Sequence, residues 1–190
     1  MADSFVAKEK FEKINFTEKP LAKGEYEDCS FVGCIFSNVD LSGYYFSKCS
    51  FENCDMSMVT LTKTTLSNVQ FSNCKLLGIQ FSACNQFLLS FNFKDCQLNF
   101  SSFYRLKING TTFTNCNLEE ADMVGAELNK AVFDNCNLTG TSFENTNLEG
   151  ADLRTAIGYS IDPEINKIKQ ARFSIYGLAG LLHKYHIEVE

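Results

Sequence analysis

Tryptophan is absent from this 190-residue chain, proline and histidine occur only twice each, and no signature of a phosphate loop, nucleophile elbow or zinc motif is present. With two prolines, and with Asn, Ser and Thr scattered rather than gathered, there is no linker composition that would divide the chain. With only His183 and His186, both near the C-terminus, histidine-based metal or base chemistry has no material in the first 182 residues. No apolar run approaches the length of a membrane span, and the start shows no basic segment leading into an apolar run and a small-residue cleavage site. These absences predict a cytoplasmic, soluble protein with no membrane partner. Its three sequons at Asn15, Asn109 and Asn137 then have no meaning.

What the chain has in quantity is phenylalanine, eighteen residues, and cysteine, nine. An odd cysteine count without an export signal argues against a disulfide framework. Large apolar residues recur every fifth position, which is neither the 3.6 of a helix nor the 2 of a strand. The register runs through Phe11, Phe16, Leu21, Tyr26, Phe31, Phe36 and onward to Phe81, breaks, and resumes two residues out of phase from Phe93 to Leu153. Two residues before each large one stands a residue that is mostly small, and all nine cysteines occupy that position. The unit is small, polar, large, polar, polar, clearest in "ADM" at Ala121–Met123 and "ADL" at Ala151–Leu153. A repeat of this length has to be recognised before any local structure is assigned.

The unit resembles the pentapeptide-repeat family over roughly residues 11–155. The resemblance implies an all-β fold: a right-handed quadrilateral parallel β-helix in which four pentapeptides form one square coil of about twenty residues, with the large and small residues inward. On that fold Cys34, Cys54 and Cys74 stack in one column, as do Cys96, Cys116 and Cys136, and cysteine is a small buried hydrophobe rather than a metal ligand. Tyr44, Ile79, Phe91 and Leu106 are bulky at the small position and either widen the core or turn outward. The break near 82–92, "SACNQFLLSFN", is read as a bulged corner between two blocks of coils. It is too short and apolar to match the loops with which quinolone-resistance members contact their partner enzyme.

The expected organisation is a lead-in at 1–10, the β-helix at 11–157 and a cap at 158–190. Ser174 caps a C-terminal α-helix running to about Tyr185, with Ile175, Leu178, Leu181, Leu182 and Tyr185 on one stripe, and Ile187 and Val189 in a short extended end. The segment Asp162–Asn166 and the run Gly177–Leu182 resemble the C-termini of the quinolone-resistance (Qnr) and microcin-immunity members, which implies a two-fold homodimer through Ile175, Leu178, Leu181, Leu182, Tyr185 and Ile187. Capping without dimerisation is the alternative.

Net charge is −6, and it is local. Residues 118–152 carry Glu119, Glu120, Asp122, Glu127, Asp134, Glu144, Glu149 and Asp152 against Lys130 alone, whereas both ends and residues 27–117 are balanced. All eight acids fall at outward positions, so the register predicts solvent-facing carboxylates, and the sign disfavours nucleic acid as a partner. The Qnr-like resemblance implies a DNA-mimicking interaction protein whose acidic face occupies the saddle of a type II topoisomerase such as gyrase, giving quinolone or toxin protection. A scaffold module of unassigned role is the alternative. No catalytic residue, metal, cofactor or small-molecule substrate is expected: the interior is filled by repeat side chains, and Asp122 and Glu127 lie on adjacent sides of a convex coil.

Overall fold

The computed structural model describes residues 4–187. The chain winds as a four-sided parallel β-solenoid. Its first side is a nine-stranded ladder from Lys10–Glu12 to Arg172–Phe173, so eight turns separate its ends. The fourth side opens with a four-stranded sheet of Ser4–Ala7, Gly24–Glu27, Tyr45–Ser47 and Thr65–Ser67. The second and third sides are rows of single bridges, such as Asn117↔Asn137 and Asp122↔Ser142, at an offset of twenty residues. The ladder reaches further than the clear repeat at both ends. Residues 4–7 already pair with 24–27, and the five-residue spacing of inward small residues continues as Ala156, Ile161, Asn166 and Ala171.

Every large residue of the register from Phe16 to Leu153 is buried, and so is every cysteine. The four bulky residues at the small position all turn inward, Tyr44 with its hydroxyl donating to the Leu21 carbonyl at 2.8 Å. Identical positions stack: Phe11, Phe31, Phe51, Phe71, Phe93, Phe113 and Phe133 form one column with ring centroids 4.7–5.3 Å apart. Offset stacking at this spacing suits the aromatic quadrupole and matches the strand separation.

The small position has a second duty. The carbonyl of the large residue turns into the corner, and the small side chain 23 residues later donates to it. Cys54 Sγ reaches Phe31 O at 3.3 Å, Cys136 Sγ reaches Phe113 O at 3.4 Å, and Thr64, Thr141 and Thr146 do the same through Oγ1 at 2.7–2.8 Å. Cysteine, threonine and serine are interchangeable here because each is a small donor. Burial pushes the Cys49 thiol up to about 11 and the Cys84 thiol up to about 12, further from reaction.

The fifth residue of most pentapeptides makes the corner and takes φ between about +50° and +75°, which is why Asn and Gly recur there. The register break is a bulge of the fourth side. Phe71 pairs with Phe93, so the first side continues without interruption, while Phe87 and Leu88 are left exposed at the corner.

The tail departs from the expected α-helix. Ile175–Leu181 and His183–Tyr185 are 3-10 turns. Ser174 caps the first, its Oγ accepting from the Gly177 N–H at 3.1 Å. The cause is the packing of Gly177 and Gly180 against Tyr159. A Cβ at 177 would collide with Tyr159 Oη and one at 180 with Tyr159 O, and three residues per turn bring both glycines to the same face. The expected single stripe therefore splits into two. Leu181 is partly buried against the core, while Ile175, Leu178, Leu182, Tyr185 and Ile187 are exposed. Val189 lies outside the described residues.

Truncating the middle of the aromatic column, Phe113→Ala, is expected to cost about 3–5 kcal/mol in denaturant unfolding. Thr141→Val, which keeps the shape but leaves the Leu118 carbonyl with only the Ala121 N–H, is expected to cost about 0.5–1.5 kcal/mol.

Candidate partner-binding face

The bridges identify the outward residue of each side coil by coil. On the third side these are Asp40, Thr60, Gln80, Ser102, Asp122 and Ser142; on the fourth, after the bulge, Lys107, Glu127, Asn147 and Lys167. None of the eight acids of residues 118–152 is buried. They do not, however, share one side.

Glu119 and Glu120 turn the corner onto the third side, Asp122 stands in its outward row, and Glu144 lies at its far edge. Their polar neighbours are neutral: Asn99 Nδ2 donates to Glu119 at 3.3 Å and Ser102 Oγ to Asp122 at 3.1 Å, which leaves the charge uncompensated. Arg105 lies across Gly125 and over the Tyr104 ring at 4.9 Å.

Glu127, Asp134, Glu149 and Asp152 belong to the fourth and first sides. There, over residues 107–172, they meet Lys107, Lys130, Arg154, Lys167, Lys169 and Arg172. Asp152 pairs with Arg154 at 2.7 Å and lies 3.9 Å from Arg172; the Arg154 hydrogen bond holds its carboxyl below the usual range. Glu127 accepts from Asn147 at 2.8 Å and Asp134 from Thr155 at 2.9 Å. The uniform acidic belt suggested by the linear count thus resolves into one negative side and one mixed side.

At the C-terminal end Lys184 ties the tail to the last coil. Its ammonium sits 2.8 Å from Asp162 and 2.7 Å from Glu164, and Tyr185 Oη donates to Glu164 at 2.9 Å. Asn166 explains the rest of this segment. It stands at the small position, donates to Phe143 O at 2.7 Å and accepts from the Thr146 N–H at 2.8 Å. Sequence reasoning missed both, although the five-residue spacing that places Asn166 was there to be counted. Among the described residues no group of three or more His, Cys, Asp or Glu side chains could hold a metal, and no helix is long and apolar enough to cross a membrane.

The family model described as "Pentapeptide repeat region" matches residues 25–92 and 88–156, together more than half of the chain. The chain belongs to the pentapeptide repeat family. The two matches meet at the register break, as two blocks of coils joined by a bulge require. Among solved structures, one of a trypsin-treated point variant of QnrB1, a plasmid-mediated fluoroquinolone resistance protein, is similar with a TM-score of 0.72, at 15% identity, over 98% of this chain and 92% of that one. The full-length QnrB1 structure is similar with a TM-score of 0.51, also at 15% identity, over 97% and 100%. At such identities the likeness is one of fold. A comparison with curated proteins found no match.

The Lys184 latch has a pH signature. Lys184 holds both Asp162 and Glu164 below their ordinary values. Their contribution is therefore full above the ordinary carboxylate range near about 4, and is lost as pH falls through the depressed values. Hydrogen exchange of the tail, corrected for intrinsic rate, is expected to rise in acid before that of the coils. Lys184→Met is expected to give the faster tail exchange already at neutral pH.

Proposed function

We propose that this protein is a cytoplasmic DNA-mimicking interaction protein. Its acidic third side occupies the basic DNA-binding saddle of a type II topoisomerase such as gyrase, thereby shielding the enzyme from a quinolone or a peptide toxin. The observation that carries this reading is the asymmetry of charge. Glu119, Glu120, Asp122 and Glu144 stand on one side and its edges and make no salt bridge among the described residues, whereas the neighbouring sides are mixed. The fold likeness to QnrB1, a fluoroquinolone resistance protein, supports the same class of partner. Eight coils at the strand spacing give a rod of about 38 Å, on the order of eleven base pairs of duplex. Binding of this kind runs the phosphate–cation attraction in reverse, with protein carboxylates displacing DNA from Lys and Arg, and weakens as salt rises.

The protein acts as a homodimer in this reading. Ile175 and Tyr176 are 76% and 96% exposed, and with Leu178, Leu182, Tyr185 and Ile187 they present an apolar surface at the rod's end that a second copy would cover. Two rods end to end extend the mimic to about 75 Å.

Titrating the protein into a gyrase supercoiling assay at low salt, with and without a quinolone, tests the reading. Activity is expected to change in the micromolar range. Glu144→Lys is expected to weaken the effect roughly tenfold, as for a charge facing an oppositely charged partner, and Glu149→Lys, set among bases, to change it little. No effect of the unaltered protein would favour a scaffold role. Leu178→Arg is expected to shift the sedimentation coefficient from dimer to monomer.

A further inference from the structure

The acidic third side carries something that duplex DNA does not. Met58 and Phe100 occupy the corner by which the chain enters this side, and they are 59% and 63% exposed. Tyr104, 39% exposed, stands across the side in the same coil as Phe100, with Ser102 between them. Met58 lies across Gly78, whose added Cβ would meet Met58 Sδ at 2.5 Å, so the intervening coil leaves room for the Met58 side chain on the way to Phe100. The next residue down this corner is Glu120, and Asp122 follows Ser102 in the row beside it.

Two separate physical costs fall on these positions. Exposing a Met and a Phe side chain forgoes their burial. Both also sit at the corner position, at φ +58° and +61°, in a left-handed backbone region where Asn38, Asn53 and Asn115 stand elsewhere and where other long side chains, such as Lys48, Lys63, Arg105 and Lys130, are charged. A strained, exposed aromatic side chain within an interaction face is an observation from which function can be argued. Met and aromatic residues are those enriched in the buried centre of interfaces, and a few such anchors dominate binding.

We infer that Met58, Phe100 and Tyr104 form an apolar anchor that enters a recess in the partner, and that the partner is a protein with that recess beside a basic surface. The flanking acids Glu119, Glu120 and Asp122 set the basic character of the surroundings, while the anchor sets the specificity. This rests on the topoisomerase reading for the identity of the partner, and it separates two contributions that mimicry of DNA alone would not contain.

Purified gyrase binding to the immobilised protein, measured over a range of salt, tests the anchor. Phe100→Asn introduces the side chain this corner favours, so its Tm is expected to match or exceed that of the unaltered protein. Its affinity is expected to fall at least tenfold at every salt concentration with the slope of log K against log salt unchanged. Met58→Asn is expected to act in the same direction. Glu120→Gln combined with Asp122→Asn is expected to flatten the slope instead. If Phe100→Asn and Met58→Asn bind as tightly as the unaltered protein while the acid variant is weakened, the anchor is overturned and the topoisomerase reading stands. If the unaltered protein does not bind gyrase at low salt, both are overturned.

Discussion

One constraint organises this molecule: each coil is hydrogen-bonded to the next at an offset of twenty residues, so a residue's surroundings are set by residues twenty before and twenty after it. Rings stack on rings, small donors reach large-residue carbonyls and asparagines line corners because the ladder leaves them no other neighbours. Asn135 Nδ2 donates to Asn115 Oδ1 at 3.3 Å and Asn115 Nδ2 to Asp95 Oδ1 at 2.9 Å, while Asn73 donates to Asn53 on the same corner. The ladder also explains how the chain survives a two-residue insertion. The first side carries straight on from Phe71 to Phe93, and the disturbance is confined to the fourth side, whose sheet ends at Thr65–Ser67.

The core was legible because it obeys a period of five, and every side of the prism makes the same demand: one large plug, one small donor. Hence Phe36, Leu98 and Phe133 could be placed inside without knowing which side each occupies. The surface was less legible because it obeys a period of twenty. Glu144 and Glu149 are neighbours in the repeat and both outward, yet one belongs to the acidic side and the other to the mixed side; reducing the sequence by five alone cannot separate them. The tail was legible in its cap, Ser174, and not in its winding. An amphipathic pattern over 174–185 reads as an α-helix, but the contact that fixes it is tertiary: Tyr159 accepts only glycine at 177 and 180.

The corner position shows how a repeat makes departures from its own pattern conspicuous. A regular solenoid sets a local standard at every position, here a left-handed residue best met by Gly or Asn. Lysine at this position keeps its charge in water and adds no exposed apolar surface; Met58, Leu88 and Phe100 do add it. Leu88 is accounted for by the bulge, which carries it out of the coil. Met58 and Phe100 lie within regular coils with intact ladders, Met58 donating to Leu77 O at 2.9 Å and Phe100 to Glu119 O at 3.1 Å, so no local irregularity accounts for them.

That distinction bears on how a rod of this kind selects a partner. Charge alone is a weak selector, because many nucleic-acid-binding proteins present Lys and Arg and because exposed charges are screened within about 8–10 Å at ordinary salt. A convex side with acids spaced along it attracts this whole class and orients it. An apolar ridge set among those acids makes attraction insufficient: a basic surface without a matching recess would have to dehydrate its cations against Phe100 and Met58 and gain nothing in return. On the proposed reading the same side would draw in many basic surfaces and hold few, and the two properties are separable because they reside in different columns of one scaffold.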